Sequence, residues 1–166
     1  MVFLFSYREL KDEKCSPNDK ENVKYYILDP FLYHALYSYL HNISDPFRQS
    51  ERLLDDKAFK GHLVESVIAS HLLLSQQFFA RVPSVDYEKV LMYGISSHNG
   101  LEQETDFVLC INKDSEKPTR FAIESKYRKD PYIVSSEERK IVLTEETLKE
   151  KDNEVYLPVS IFLLIF

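Results

Sequence analysis

The chain has 166 residues, 44% apolar and 29% charged, with a net charge of −6. This is long enough for one domain with a proper core, at the composition of an ordinary soluble globular protein. The acidic balance excludes nucleic-acid binding through overall charge and leaves only a local basic patch for it. No run approaches the ~20 apolar residues of a membrane helix, so no membrane partner is expected.

Met1 to Phe5 is apolar but too short for a signal peptide, and Arg8 and Glu9 follow at once. Val2 to Tyr7 is expected as a short strand. Lys11 to Asn22 is polar, holds Pro17, and reads as an exposed loop. Val23 to Leu28 is apolar and aromatic and predicts a buried strand. Asp29-Pro30 then opens a helix, with Asp as N-cap and Pro in the first turn, that runs to about His41. Its tyrosines, Tyr33, Tyr37 and Tyr39, suit packing more than base stacking. Asn42 to Ser50 reads as a connector around Asp45-Pro46. A second helix is expected from about Asp56 to Gln77, with a buried stripe of Leu63, Val64, Val67, Ile68 and Leu72.

Lys89 to Ile95 is the next predicted strand and Ser96 to Gly100 a turn. Glu104 to Leu109 and Ile123 to Tyr127 are rich in β-branched, aromatic and aliphatic residues, and the polar run 112–118 between them makes a hairpin. Beyond it, Tyr127 to Pro131 breaks the strand and Ser135 to Glu138 has the chemistry of a short helix start. Lys140 to Leu143 is an expected edge or final strand, and Thr144 to Thr147 an expected helical turn. Pro158 to Phe166 is apolar throughout, and its periodicity fits strand or helix. Cys15 and Cys110 lack metal-ligand spacing and read as reduced and structural, which suits a cytoplasmic protein. Gly61, Gly94 and Gly100 form no phosphate-cradling loop.

Chemistry concentrates in the hairpin. Strict alternation puts Asp106 on one face with Glu104 and Val108, and Glu124 with Lys126, Arg120 and Ala122. The other faces carry Phe107, Leu109, Ile111, Phe121 and Ile123. Two carboxylates held close repel unless a cation lies between them. Mg²⁺ accepts such oxygen ligands, lowers the pKa of a bound water and stabilises charge on a phosphate. Lys126 would act on that water. Glu65 lies at the edge of the helix stripe, where an unpartnered carboxylate is costly and a site or an ion pair is expected. His62, one turn earlier, is expected to be solvated. A solvated charged face on an amphipathic hairpin fits the same residues, because D…ExK is a short pattern with many chance matches.

The order of these motifs resembles the PD-(D/E)xK nuclease-like superfamily, with its restriction-endonuclease fold. More narrowly it resembles the C-terminal domain of archaeal and bacterial AAA-type ATPases. Lys24 to Pro30, Gly61-His62-Leu63-Val64-Glu65-Ser66-Val67, Glu104-Thr105-Asp106-Phe107 and Ile123-Glu124-Ser125-Lys126 carry the likeness, with Leu157-Pro158 and Phe162 to Leu164. The resemblance implies an α/β fold with an αβββαβ core and a mixed sheet flanked by helices. That core would span 51–166, preceded by a strand–helix extension over 1–50. It implies Glu65, Asp106 and Glu124 as ligands of Mg²⁺ or Mn²⁺, and Lys126 as the fourth catalytic group. DNA is the implied substrate, near Arg120, Arg128 and Lys129, with an ATPase module as partner in cis or trans. A non-catalytic module that binds nucleic acid or docks an ATPase is the alternative. Glu104-Thr105 departs from the Pro-like residue often found before the metal-binding Asp.

Overall fold

A computed structural model describes residues 4–11, 15–18, 23–79, 92–98, 101–111, 118–128 and 139–165. Among these, the chain runs β1 (Leu4–Glu9), β2 (Val23–Ile27), α1 (Pro30–Leu40), α2 (Pro46–Asp55), α3 (Lys57–Phe79), β3 (Met92–His98), β4 (Leu101–Ile111), β5 (Thr119–Ser125), β6 (Lys140–Thr144), β7 (Lys149–Lys151), β8 (Glu154–Pro158) and α4 (Val159–Ile165). The strands make one mixed sheet in the order β2-β1-β3-β4-β5-β6-β8-β7. The fold is therefore α/β. β1 and β2, from the expected N-terminal extension, belong to this same sheet. The expected loop over 112–117, the short helix over 135–138 and Lys129 lie outside the described residues.

One face of the sheet presents Tyr7, Tyr26, Tyr93, Phe107, Leu109, Ile123 and Leu143 to Ile68, Ala69 and Leu72 of α3 and to Val159 and Phe162 of α4. The Tyr7 ring lies edge-on to Tyr26 and Phe107, with centroids at 5.2 and 5.5 Å. Its hydroxyl donates to the Ala69 carbonyl at 2.6 Å, so a buried polar atom keeps a partner. Helix starts follow one device. Asp29 and Asp45 each precede a Pro in the first turn and accept from Phe31 N at 2.9 Å and Arg48 N at 3.1 Å. Asp56 caps α3 through Ala58 N at 2.8 Å and Phe59 N at 3.1 Å.

Several expectations need correction. The connector around Asp45-Pro46 is the start of α2, since the Asp-Pro cap recurs there. β3 continues through His98, past the turn expected from Ser96. β6 is an interior strand, parallel to β5 on one side and β8 on the other. Thr144 to Thr147 forms no helical turn; the Thr144 hydroxyl donates to the Thr147 carbonyl at 2.9 Å, and β7 follows. The apolar tail is helical: β8 ends at Pro158 and α4 runs from Val159 to Ile165.

Alternation along β4 also breaks. Met92 stands opposite Val108 and Gly94 opposite Thr105, so one residue of β3 faces two of β4. This bulge at Asp106-Phe107 reverses the faces. Glu104, opposite Ile95, lies on the α3 side with Tyr93 and Phe107, while Val108 lies on the other side with Met92 and Cys110. Gly94 suits the bulge, because an added Cβ would stand 3.3 Å from Val108 Cγ2.

Cys15 and Cys110 are joined in a disulfide, not reduced as expected, with Cα atoms 6.2 Å apart. Both are fully buried, together with Met92 and Val108. The cross-link spans 95 residues of sequence, which confines the unfolded chain strongly. Cys15→Ser should cost about 2–4 kcal/mol in urea denaturation. Reductant should cost the wild type a similar amount and the variant nothing; a variant that still responds to reductant would contradict the bond.

Candidate functional site

Glu65 lies mid-way along α3, facing the β1–β2 end of the sheet. Its Oε1 accepts from the Tyr26 hydroxyl at 2.6 Å and lies 3.5 Å from Lys24 Nζ. Lys24 and Tyr26 reach it together because they alternate with Tyr25 on β2. Lys24 also pairs with Glu104, and its ammonium lies 5.2 Å from the Tyr93 ring centroid. Burial lowers the Lys24 pKa, but Glu104, Glu65 and Asp106 outweigh it and the net shift is upward. His62 is exposed, as expected, with Nδ1 3.9 Å from Glu65 Oε2. Lys24, Tyr25, Tyr26, His62, Glu65, Ser66 and Glu104 line an open cavity of about 360 Å³. Burial, and after it the charge of Glu65, pushes the Tyr26 hydroxyl well above its ordinary pKa.

Asp106 stands at the bulge. Its Oδ2 accepts from the Ser125 amide at 2.7 Å, which fastens β4 to the end of β5. Burial, then the charge of Glu65, raises its pKa to about 6; the Ser125 hydrogen bond and Lys126 oppose this, and Glu124 adds to it. Asp106 thus feels both other carboxylates.

Glu124 is 1% exposed. Lys126 Nζ lies 3.0 Å from its Oε2, and Lys140 Nζ 3.7 Å from its Oε1. Among the described residues neither oxygen accepts a hydrogen bond of good geometry, although the Lys126 ammonium lies at hydrogen-bond distance from Oε2. Lys140 is itself buried and stands in register beside the buried Glu154, whose Oε2 accepts from the Tyr156 hydroxyl at 2.7 Å. Burial draws the Lys126 pKa down, but Glu124 and Asp106 override it and raise it overall. Lys126 is therefore an ammonium at neutral pH.

Arg128 is exposed two residues past Lys126, and its amide donates to the Lys126 carbonyl at 2.6 Å. Arg120 stands opposite Cys110, four residues before Glu124, or about 13 Å along the strand. The structure thus sets Lys126 against Glu124, and Asp106 within the influence of Glu65 and Glu124. Lys24, Tyr26 and Lys140 were missed by sequence reasoning. For Lys24 the available signal was a charged residue at an inward position of an otherwise aromatic strand.

Glu65, Asp106 and Glu124 supply oxygen donors, the chemistry that Mg²⁺ and Mn²⁺ prefer. The Glu124 carboxylate is buried, and the charges of Glu65 and Glu124 around Asp106 favour a cation. Among the described residues no three Asp, Glu, His or Cys side chains gather closely enough to cage an ion. A hydrated Mg²⁺ needs only one or two protein carboxylates, and Asp106 and Glu124 carry the donor atoms it takes. Among the described residues no helix is long and apolar enough to cross a membrane. No family model matches the chain, and no curated protein or solved structure matches it significantly.

Asp106 gives a pH dependence with a definite sign. Its folded pKa of about 6 exceeds the ordinary 3.8, so between these values the folded state binds more protons than the unfolded chain. Stability is then present at low pH and lost as pH rises through this window, by about 2–3 kcal/mol. Asp106→Asn should match the wild type near pH 4 and exceed it by that amount above about pH 7 in urea denaturation. A difference that does not change with pH would contradict this.

Proposed function

We propose that this chain is a metal-dependent phosphodiesterase domain of the PD-(D/E)xK type, with the restriction-endonuclease fold, acting on DNA and working with an AAA-type ATPase module in cis or trans. The observation that carries the reading is the buried Glu124 carboxylate beside Lys126, with Asp106 fastened to the same strand end. The succession α3, β3, β4, β5 and a parallel β6 is compatible with an αβββαβ core.

Mg²⁺ or Mn²⁺ held by Asp106 and Glu124, with Glu65 as the third carboxylate, would supply a water of lowered pKa and positive charge at the phosphate. Lys126, kept protonated by Glu124 and Asp106, orients the attacking water or offsets charge developing on the phosphate. The Ser125 amide fixes the Asp106 rotamer, so one carboxylate is set in place before any ligand arrives. Tyr26 and Lys24 do the same for Glu65. Arg128 adds positive charge for a DNA backbone two residues past Lys126, with Arg120 farther off.

The second reading, a non-catalytic module of the same fold that binds nucleic acid or docks an ATPase, rests on a different observation. Glu65 and Glu124 already have cationic partners in Lys24, Lys126 and Lys140, so their charges are matched without an ion.

With Mn²⁺ present, the protein should nick labelled DNA slowly and bind it weakly, because few cations among the described residues surround the site, and that binding should fall further as salt rises. EDTA should abolish cleavage. Lys126→Gln, which keeps length but removes charge, should lower the rate by about 100-fold or more. Arg128→Ala should weaken binding several-fold yet preserve the rate at saturating DNA. Cleavage that persists undiminished in Lys126→Gln would belong to another enzyme. A folded, metal-bound protein inert on single- and double-stranded DNA would favour the docking reading.

A further inference from the structure

α1 and α2 carry a second feature, unrelated to the carboxylates. Between them runs an open apolar groove of about 690 Å³, whose lining includes Phe31, Ala35, Ser38, Tyr39, Phe47 and Leu54. Phe31, Tyr39 and Phe47 are 73%, 80% and 76% exposed. Small residues form a recess, and bulky rings stand out beside it, so one surface holds both knob and hole. Contiguous apolar surface of this kind marks an interface.

We propose that this face is the interface between two copies of the chain, paired about a two-fold axis through antiparallel α2 helices. The charge pattern of α2 identifies the occupant. Arg48, Glu51, Arg52 and Asp55 are all exposed and recur at helical spacing, one stripe round from the groove-lining Phe47, Ser50 and Leu54. When α2 lies antiparallel to a second α2 centred between Glu51 and Arg52, Arg48 meets Asp55 of the partner and Glu51 meets Arg52. The two-fold axis repeats both pairs. Every contact along the stripe is of opposite sign. A slide of three residues sets Arg48 against Arg52 or Glu51 against Asp55, whereas a slide of four again pairs opposite signs, so the pattern selects an antiparallel second copy. In the centred register Phe47 of one copy lies roughly two residues, about 3 Å along the axis, beyond the level of Leu54 of the other.

The area suits the assignment. The exposed parts of Phe31, Tyr39 and Phe47 amount to roughly 450 Å² at ~200 Å² per aromatic side chain. Leu54 and the four charged residues bring this near the ~800 Å² that each partner contributes to a standard interface. A polar rim beside an aromatic centre is the usual anatomy of such a surface.

Sedimentation velocity across micromolar concentrations tests this directly. The wild type should show a concentration-dependent dimer, and Phe47→Asp should sediment as a monomer with the melting temperature of the dilute, monomeric wild type, since the ring packs on little within its own chain. The doubly substituted Arg48→Glu/Arg52→Glu protein and the Glu51→Arg/Asp55→Arg protein should each lose self-association by about 100-fold or more. Mixed in equal amounts, these two should form a heterodimer. A wild type that stays monomeric, a dimer indifferent to Phe47→Asp, or charge variants that fail to pair with each other would each overturn the proposal.

Discussion

Glu124 places a carboxylate within a sheet whose neighbouring positions are Ala122, Ile123 and Val142, all buried. An uncompensated charge there costs several kcal/mol. The protein meets that cost with two ammonium groups, from Lys126 at the open end of β5 and from Lys140 on the parallel β6. Both pairings depend on register: β6 must lie parallel to β5 with Val142 beside Glu124. A structural protein gains little from this device, because a well-packed apolar residue would serve as well or better. A site that takes up and releases charge has a use for it.

The bulge in β4 connects the sheet to that site. It turns Glu104 toward α3, where Lys24 meets it, and leaves Asp106 at the point where the ladder resumes. Farther along the same strand, beyond Val108, Cys110 anchors β4 to the β1–β2 connection through Cys15. The segment bearing Asp106 is thus fixed on one side by a covalent link and on the other by the Ser125 amide. Burial in this rigid setting, and after it the charge of Glu65, holds the Asp106 pKa above its ordinary value.

Much of this is legible in the residues. Asp29-Pro30 announces α1 through capping chemistry, and the apolar stripe of α3 points Ile68 and Leu72 into the core. Hairpin alternation places Phe107, Leu109 and Ile123 correctly on the helix-covered face. The failures have physical causes. Asp45-Pro46 bears the same cap as α1, but the strongly polar stretch behind it hides a helix with only a narrow apolar stripe. The bulge leaves no mark in a pattern of period two, since one extra residue in β4 shows only when the partner strand is known. The Cys15–Cys110 bond joins positions too far apart in sequence for spacing to suggest it. Lys140 heads an apolar strand, and nothing local tells that its ammonium reaches Glu124.

In the proposed function Asp106 and Glu124 form an ion-binding pair that the neighbouring lysines neutralise in the ion's absence. Anomalous scattering from a crystal soaked in Mn²⁺ examines this most directly. A manganese peak coordinated by Asp106 and Glu124 is expected, with the Lys140–Glu124 contact lengthened and Lys126 beside a metal-bound water. Crystals with no peak there, and with both lysines still against Glu124 at saturating Mn²⁺, would contradict it.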